Sequence, residues 1–135
     1  MKYLVDANVL SEVTRHEPHP AVVEWLRKHE RHITVTPIVQ GKIEYGIGLT
    51  ASTRKRNELE RWFAEGMKRL RVIDLDADTA SIWAALLVRL KKKGKAMPVK
   101  DSLIAASALQ HHLTIATRNI SDFQNAGVSL FNPFE

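Results

Sequence analysis

Short apolar runs alternate along this chain with longer stretches of helical periodicity, and that alternation restricts the folds open to it more than any other feature. The pattern predicts strands at Lys2–Asp6, His32–Val35, Arg71–Ile73, Thr114–Ala116 and Val128–Phe131. Between them it predicts helices over Val9–Thr14, Ala21–His29, Ile38–Leu49, Arg54–Leu70 and Asp78–Lys92, a helix opening at Asp101, and a helical turn near Ser121. Strands separated by helices require parallel crossover connections, so the expected architecture is α/β: a three-layer α/β/α sandwich with a mostly parallel central sheet. With 135 residues, 44% of them hydrophobic, the chain fills one core and not two, and a single domain over 1–135 is expected.

In such a sheet ligands gather at the carboxyl ends of the strands, and two acids fall there. Asp6 ends the first apolar run, directly before Ala7-Asn8-Val9. As a helix cap it needs no further role, but a second arrangement of the same kind lies far along the chain. The segment Pro98-Val99-Lys100-Asp101 leads into Ser102-Leu103-Ile104-Ala105-Ala106, apolar or small nearly all round, which places Asp101 in the first turn of a buried helix. The strand after it ends in Thr117-Arg118-Asn119. Carboxylates converging on one sheet edge repel unless a cation sits among them, and oxygen ligands alone select a hard ion such as Mg²⁺ or Mn²⁺.

Composition narrows the partners. The formal charge of +5 and pI near 9.7 favour an acidic partner, nucleic acid first. Cysteine is absent, which excludes a disulfide framework and a thiolate metal site and fits a reducing cytoplasm. The first apolar stretch is interrupted by Asp6 and none approaches the length of a membrane span, so neither a signal peptide nor membrane insertion is expected. None of the six histidines has zincin-like spacing. Lys91-Lys92-Lys93-Gly94-Lys95 fits a solvated helix end better than an RNA grip, and His111-His112 a helix C-terminus.

Four motifs in order resemble the PIN-domain ribonucleases, and among them the VapC-type toxins of toxin-antitoxin pairs, FitB-like branch. They are Leu4-Val5-Asp6-Ala7-Asn8-Val9-Leu10-Ser11-Glu12, Ile43-Glu44-Tyr45-Gly46-Ile47, Asp101-Ser102-Leu103-Ile104-Ala105-Ala106 and Ala116-Thr117-Arg118-Asn119-Ile120-Ser121-Asp122-Phe123, with a closing Asn132-Pro133-Phe134. The resemblance implies a PIN-like fold and a Mg²⁺- or Mn²⁺-dependent endoribonuclease acting on structured RNA, tRNA or rRNA. It also implies a homodimer, a cognate antitoxin protein, and contact with operator DNA only through that antitoxin. On the matching positions Asp6 and Asp101 become metal ligands, Asn119 stands at the fourth acidic position, and Asp122 is a candidate auxiliary acid. Thr117, Arg118 and Asn8 become candidate substrate contacts.

One position departs from the pattern. The family's second acid is a glutamate four residues before the glycine of the Tyr-Gly pair, and here that residue is Lys42. Glu44 substitutes only if the register shifts, because two residues along a helix turn the side chain by roughly 200°. At 4 Å and an effective dielectric of 20, each charge pair is worth about 4 kcal/mol, so replacing a carboxylate by an ammonium suffices to oppose a divalent ion. The expectation is therefore a nuclease lineage whose activity is impaired in this chain. The alternative is a non-catalytic PIN-fold module that engages an antitoxin without cutting RNA. Leu59, Trp62, Phe63, Met67 and Leu70 form one stripe of the Arg54–Leu70 helix, and the resemblance implies that Trp62 and Phe63 face the antitoxin.

Overall fold

The computed structural model describes residues 2–135. Five strands, β1 (Tyr3–Val5), β2 (Ile33–Val35), β3 (Arg71–Val72), β4 (Thr114–Ala116) and β5 (Leu130–Phe131), form one sheet in the order β3-β2-β1-β4-β5, every neighbouring pair parallel. Seven helices connect them: α1 (Ala7–Ser11), α2 (Pro20–His29), α3 (Pro37–Gly48), α4 (Thr53–Arg69), α5 (Ala77–Lys92), α6 (Val99–His111) and α7 (Ile120–Phe123). Winding proceeds outward from β1 in one direction through β2 and β3, then returns to β4 and β5 on the other side. The winding therefore reverses between β1 and β4, and helices are distributed to both faces of the sheet.

The expected sandwich is the observed one, with shorter strands. Lys2 and Asp6 lie outside β1, His32 outside β2, Ile73 outside β3, and Val128 outside β5, although the N–H groups of Asp6 and Ile73 still bond the Ala116 and Val35 carbonyls of neighbouring strands. The predicted helix over Val9–Thr14 is a short α-helix followed by a tighter turn over Glu12–Thr14. The core consists of β1 and β4 side chains (Leu4, Val5, Ile115), packed with Val9, Val22, Val39, Leu86, Leu90, Ile104 and Phe123, all fully buried or nearly so. Trp25 is buried against Tyr3 and Phe131, and Trp83 donates from Nε1 to Ser102 Oγ at 2.8 Å.

Capping residues fix where each helix leaves the sheet. Asp6, Thr36, Ser52 and Asp76 each accept a backbone N–H at the start of α1, α3, α4 and α5. His111 ends α6, and His112 follows it in a left-handed conformation, φ 55°, as the C-cap. The lysines from Lys91 to Lys95 are exposed around Gly94 at the end of α5, as a solvated helix terminus.

Candidate functional site

The β1–β4 register aligns Val5 with Ala116, so the next residues, Asp6 and Thr117, emerge side by side at the point where the winding reverses. Asp6 is 2% exposed, and its N–H donates to the Ala116 carbonyl at 2.9 Å. Four donors surround its carboxylate. Ala7 N–H (2.8 Å) and Lys42 Nζ (3.4 Å) approach Oδ1; Thr117 Oγ1 (2.9 Å) and Asn8 Nδ2 (3.3 Å) approach Oδ2. Asn8 also accepts the Arg118 N–H at 3.1 Å, and Thr117 Oγ1 accepts the Asn119 N–H at 3.0 Å.

Lys42 lies on α3, which begins right after β2 and runs past the same edge. Its side chain is about one-third exposed while that of Asp6 is nearly sealed, so the ammonium reaches inward from the cleft wall. Beside it a depression of about 460 Å³ is lined by Pro37, Ile38, Gly41, Tyr45 and Lys100. Glu44 points elsewhere: it is exposed and accepts from Gln40 Nε2 at 3.0 Å, one helical turn away on its own face. The register shift that would bring Glu44 into the site does not occur.

Asp101 occupies the first turn of α6, half-buried. Burial raises its carboxyl above the ordinary aspartate range; the Lys42 ammonium opposes that rise, the Asp6 and Asp122 carboxylates add to it, and Lys100 opposes it. Lys42 thus stands in the field of both carboxylates. Asn119 and Asp122 are exposed at the start of α7, on the rim of the same edge.

Two of the expected substrate contacts are tied to Asp6. Thr117 is fully buried, its hydroxyl committed to Asp6 and Asn119, and Asn8 has its amide bonded on both sides. Both bond the Asp6 carboxylate. Arg118 is exposed, as a substrate contact requires. Trp62 lines a groove of about 420 Å³ with Leu10, Val13, Val23, Leu26 and Leu70, and it also lines, with Phe63, Ile43 and Met67, a small adjoining cleft; Phe63 does not reach the larger groove. Sequence reasoning missed Glu12, which is 4% exposed, accepts the His19 N–H at 2.8 Å and pairs with Arg15 at 3.6 Å. The acid at the end of a short helix, seven residues before the His19-Pro20 helix start, was its available signal.

Asp6 already receives four donors, one of them a cation, and among the described residues no cluster of three or more Asp, Glu or His could hold a metal ion. With Lys42 in place the site does not fit the ion.

A parallel sheet with a carboxylate crevice where its winding reverses defines the class, and a PIN-domain family model matches residues 3–128: the chain belongs to the PIN-domain family. Among its relatives, Toxin FitB of Neisseria gonorrhoeae is 33% identical over 97% of each chain, and the VapC ribonuclease Y4jK of Sinorhizobium fredii is 30% identical over 98% of this chain and 97% of its own. The crystal structure of FitAcB from Neisseria gonorrhoeae matches with a TM-score of 0.93 at 34% identity, covering 98% of this chain and 99% of that one. FitAB bound to an IR36 DNA fragment matches with a TM-score of 0.92 at 31% identity, covering 98% and 96%. No helix among the described residues is long and apolar enough to cross a membrane.

Proposed function

We propose that this protein is the toxin of a toxin-antitoxin pair, built as an endoribonuclease of structured RNA (tRNA or rRNA) and disarmed at one position of its site. The observation that carries the reading is the Lys42 ammonium 3.4 Å from Asp6 and within the field of Asp101. With a glutamate at position 42, that residue, Asp6 and Asp101 would hold Mg²⁺ or Mn²⁺, which would supply phosphate polarisation and an activated water. Asn119 and Asp122 border that site. In this chain Lys42 takes the ion's place. Asp6 is held by Thr117, Asn8 and Ala7, Arg118 meets RNA phosphate, and cleavage is lost while recognition of RNA and of the antitoxin is retained.

Similarity to toxins named FitB and VapC, and to complexes of FitAB with DNA, supports a cognate antitoxin as partner and operator DNA contact through it. The Trp62 groove, apolar along one wall and flanked by Arg27, Glu30 and Arg69, suits an amphipathic helix of that antitoxin. A homodimer acting in the cytoplasm completes the reading.

The test is cleavage of total tRNA and rRNA by the purified chain and by Lys42→Glu, each with Mg²⁺, Mn²⁺ or EDTA. Metal-dependent cleavage by Lys42→Glu alone is the expected result. Equal activity in both proteins overturns the role given to Lys42, and no cleavage by either favours the non-catalytic binding module.

A further inference from the structure

The segment after β5 carries an aromatic ring to Arg118. Asn132 Oδ1 accepts the Phe134 N–H at 2.9 Å, and Asn132 Nδ2 donates to the Arg118 carbonyl at 3.5 Å and to Glu135 Oε1 at 3.2 Å. With Pro133 buried, these bonds turn the chain back over the loop between β4 and α7. The Phe134 ring then lies against the Arg118 guanidinium, 4.0 Å from ring centroid to Cζ, and His19 meets the same ring edge-on at 5.7 Å.

Arg118 is held at three points. Its N–H is bonded to Asn8, which also bonds Asp6; its carbonyl is bonded by Asn132; its guanidinium is laid on Phe134. Yet the side chain is exposed and among the described residues makes no ion pair. An exposed arginine ordinarily surrenders rotamer freedom when it binds; this one has surrendered much of it beforehand, with its charge uncompensated. A guanidinium lying on a ring keeps its edge N–H donors free for a planar, bidentate acceptor such as phosphate.

We propose that Asn132 and Phe134 form a positioning clamp that presets Arg118 as a phosphate contact for RNA entering the Asp6–Asp101 crevice. The clamp rests on the RNA reading above. Phe134 acts only through Arg118, and that coupling distinguishes it from a ring that merely completes the packing.

The experiment is fluorescence anisotropy of fluorescein-labelled tRNA with the full chain in EDTA, at several salt concentrations, with melting of each variant recorded alongside. Arg118→Ala is expected to raise Kd about tenfold and to lower the log Kd–log salt slope by about 0.7–0.9, one phosphate's worth. Phe134→Leu, which keeps apolar bulk and removes the ring, is expected to raise Kd about two- to fivefold, and Phe134→Tyr to bind as the parent does. Adding Phe134→Leu to Arg118→Ala should change nothing further. Parent-like binding by Phe134→Leu, or an equal loss in both backgrounds, overturns the clamp while leaving RNA recognition intact. Should Phe134→Leu fail to fold, Phe134→Met, which also keeps apolar bulk and removes the ring, carries the same cycle. A parent that binds no tRNA overturns the RNA reading and the clamp together.

Discussion

The Nζ of Lys42 stands 3.4 Å from Oδ1 of Asp6, across 36 residues of sequence, and turns what would be a cation site into an internal ion pair. Asp6 is almost sealed from water, so this ammonium competes directly with any other cation for the same oxygen.

Lys42→Glu should therefore melt lower than the parent in EDTA, because a carboxylate then faces Asp6 and Asp101. It should regain stability on adding Mn²⁺, by roughly 2.7 kcal/mol at a hundredfold excess over Kd, a rise in Tm on the order of 10 °C. The parent should show neither a Mn²⁺-dependent Tm nor a saturable heat in calorimetry. Scanning calorimetry with and without the ion checks both, and a Mn²⁺-stabilised parent would contradict the ion-pair account.

Thr117→Val should destabilise by about 1–3 kcal/mol, since it removes the hydroxyl that donates to Asp6 and accepts from Asn119 in a fully buried position. Thr117→Ser keeps both bonds and should cost less. Urea denaturation of the three proteins measures the difference.

Glu12→Ala should cost about 1–3 kcal/mol in the same assay, because the His19 N–H that opens α2 loses its acceptor. Arg15→Ala, at the exposed end of the same pair, should be nearly neutral.

Asp76 supplies a pH test away from the site. Its carboxyl is held below the ordinary aspartate value, first by the Thr79 N–H and then by the Gln110 and Thr79 side chains. A depressed carboxylate contributes stability above its unfolded pKa, and that contribution disappears as pH falls through the folded value. Asp76→Ala should thus melt below the parent at pH 7, with the gap closing as pH drops below 3.8. Melting curves across pH 2–7 (about the accessible range for carboxylate titration) check the trend; a constant gap would assign the loss to packing alone.

Trp62→Ala should weaken binding of a cognate antitoxin by about 2 kcal/mol or more, as loss of an aromatic anchor lining a largely apolar groove does. Phe63→Ala, from the cleft between α3 and α4, should lower Tm more than it weakens that binding. Paired titration calorimetry and melting separate the two.

The sheet, its order of elements and the convergence of Asp6 with Asp101 were legible in the sequence because each rests on local signals: alternating runs, caps and a small-residue helix. Lys42 was also legible, since helical rotation alone separates it from Glu44. The roles of Thr117 and Asn8 were not, because a polar residue at a strand end looks the same whether its bonds go to a ligand or to Asp6 across 111 residues. For the same reason Phe134 gave no sign of its stacking on Arg118. The stripe on α4 could be seen, but not that Trp62 alone of the two aromatics would reach the larger groove while sharing the small cleft with Phe63, which depends on how α4 packs against its neighbours.

The place where the winding reverses has a consequence for synthesis. Asp6 leaves the ribosome 111 residues before Thr117, whose hydroxyl donates to its carboxylate. Until β4 has emerged and inserted beside β1, Asp6 has only the donors of Ala7, Asn8 and Lys42, and the β4 side of the crevice is missing. Whatever chemistry that edge performs is withheld from the growing polypeptide until β4 has joined β1, so the order of winding itself works as a timing device.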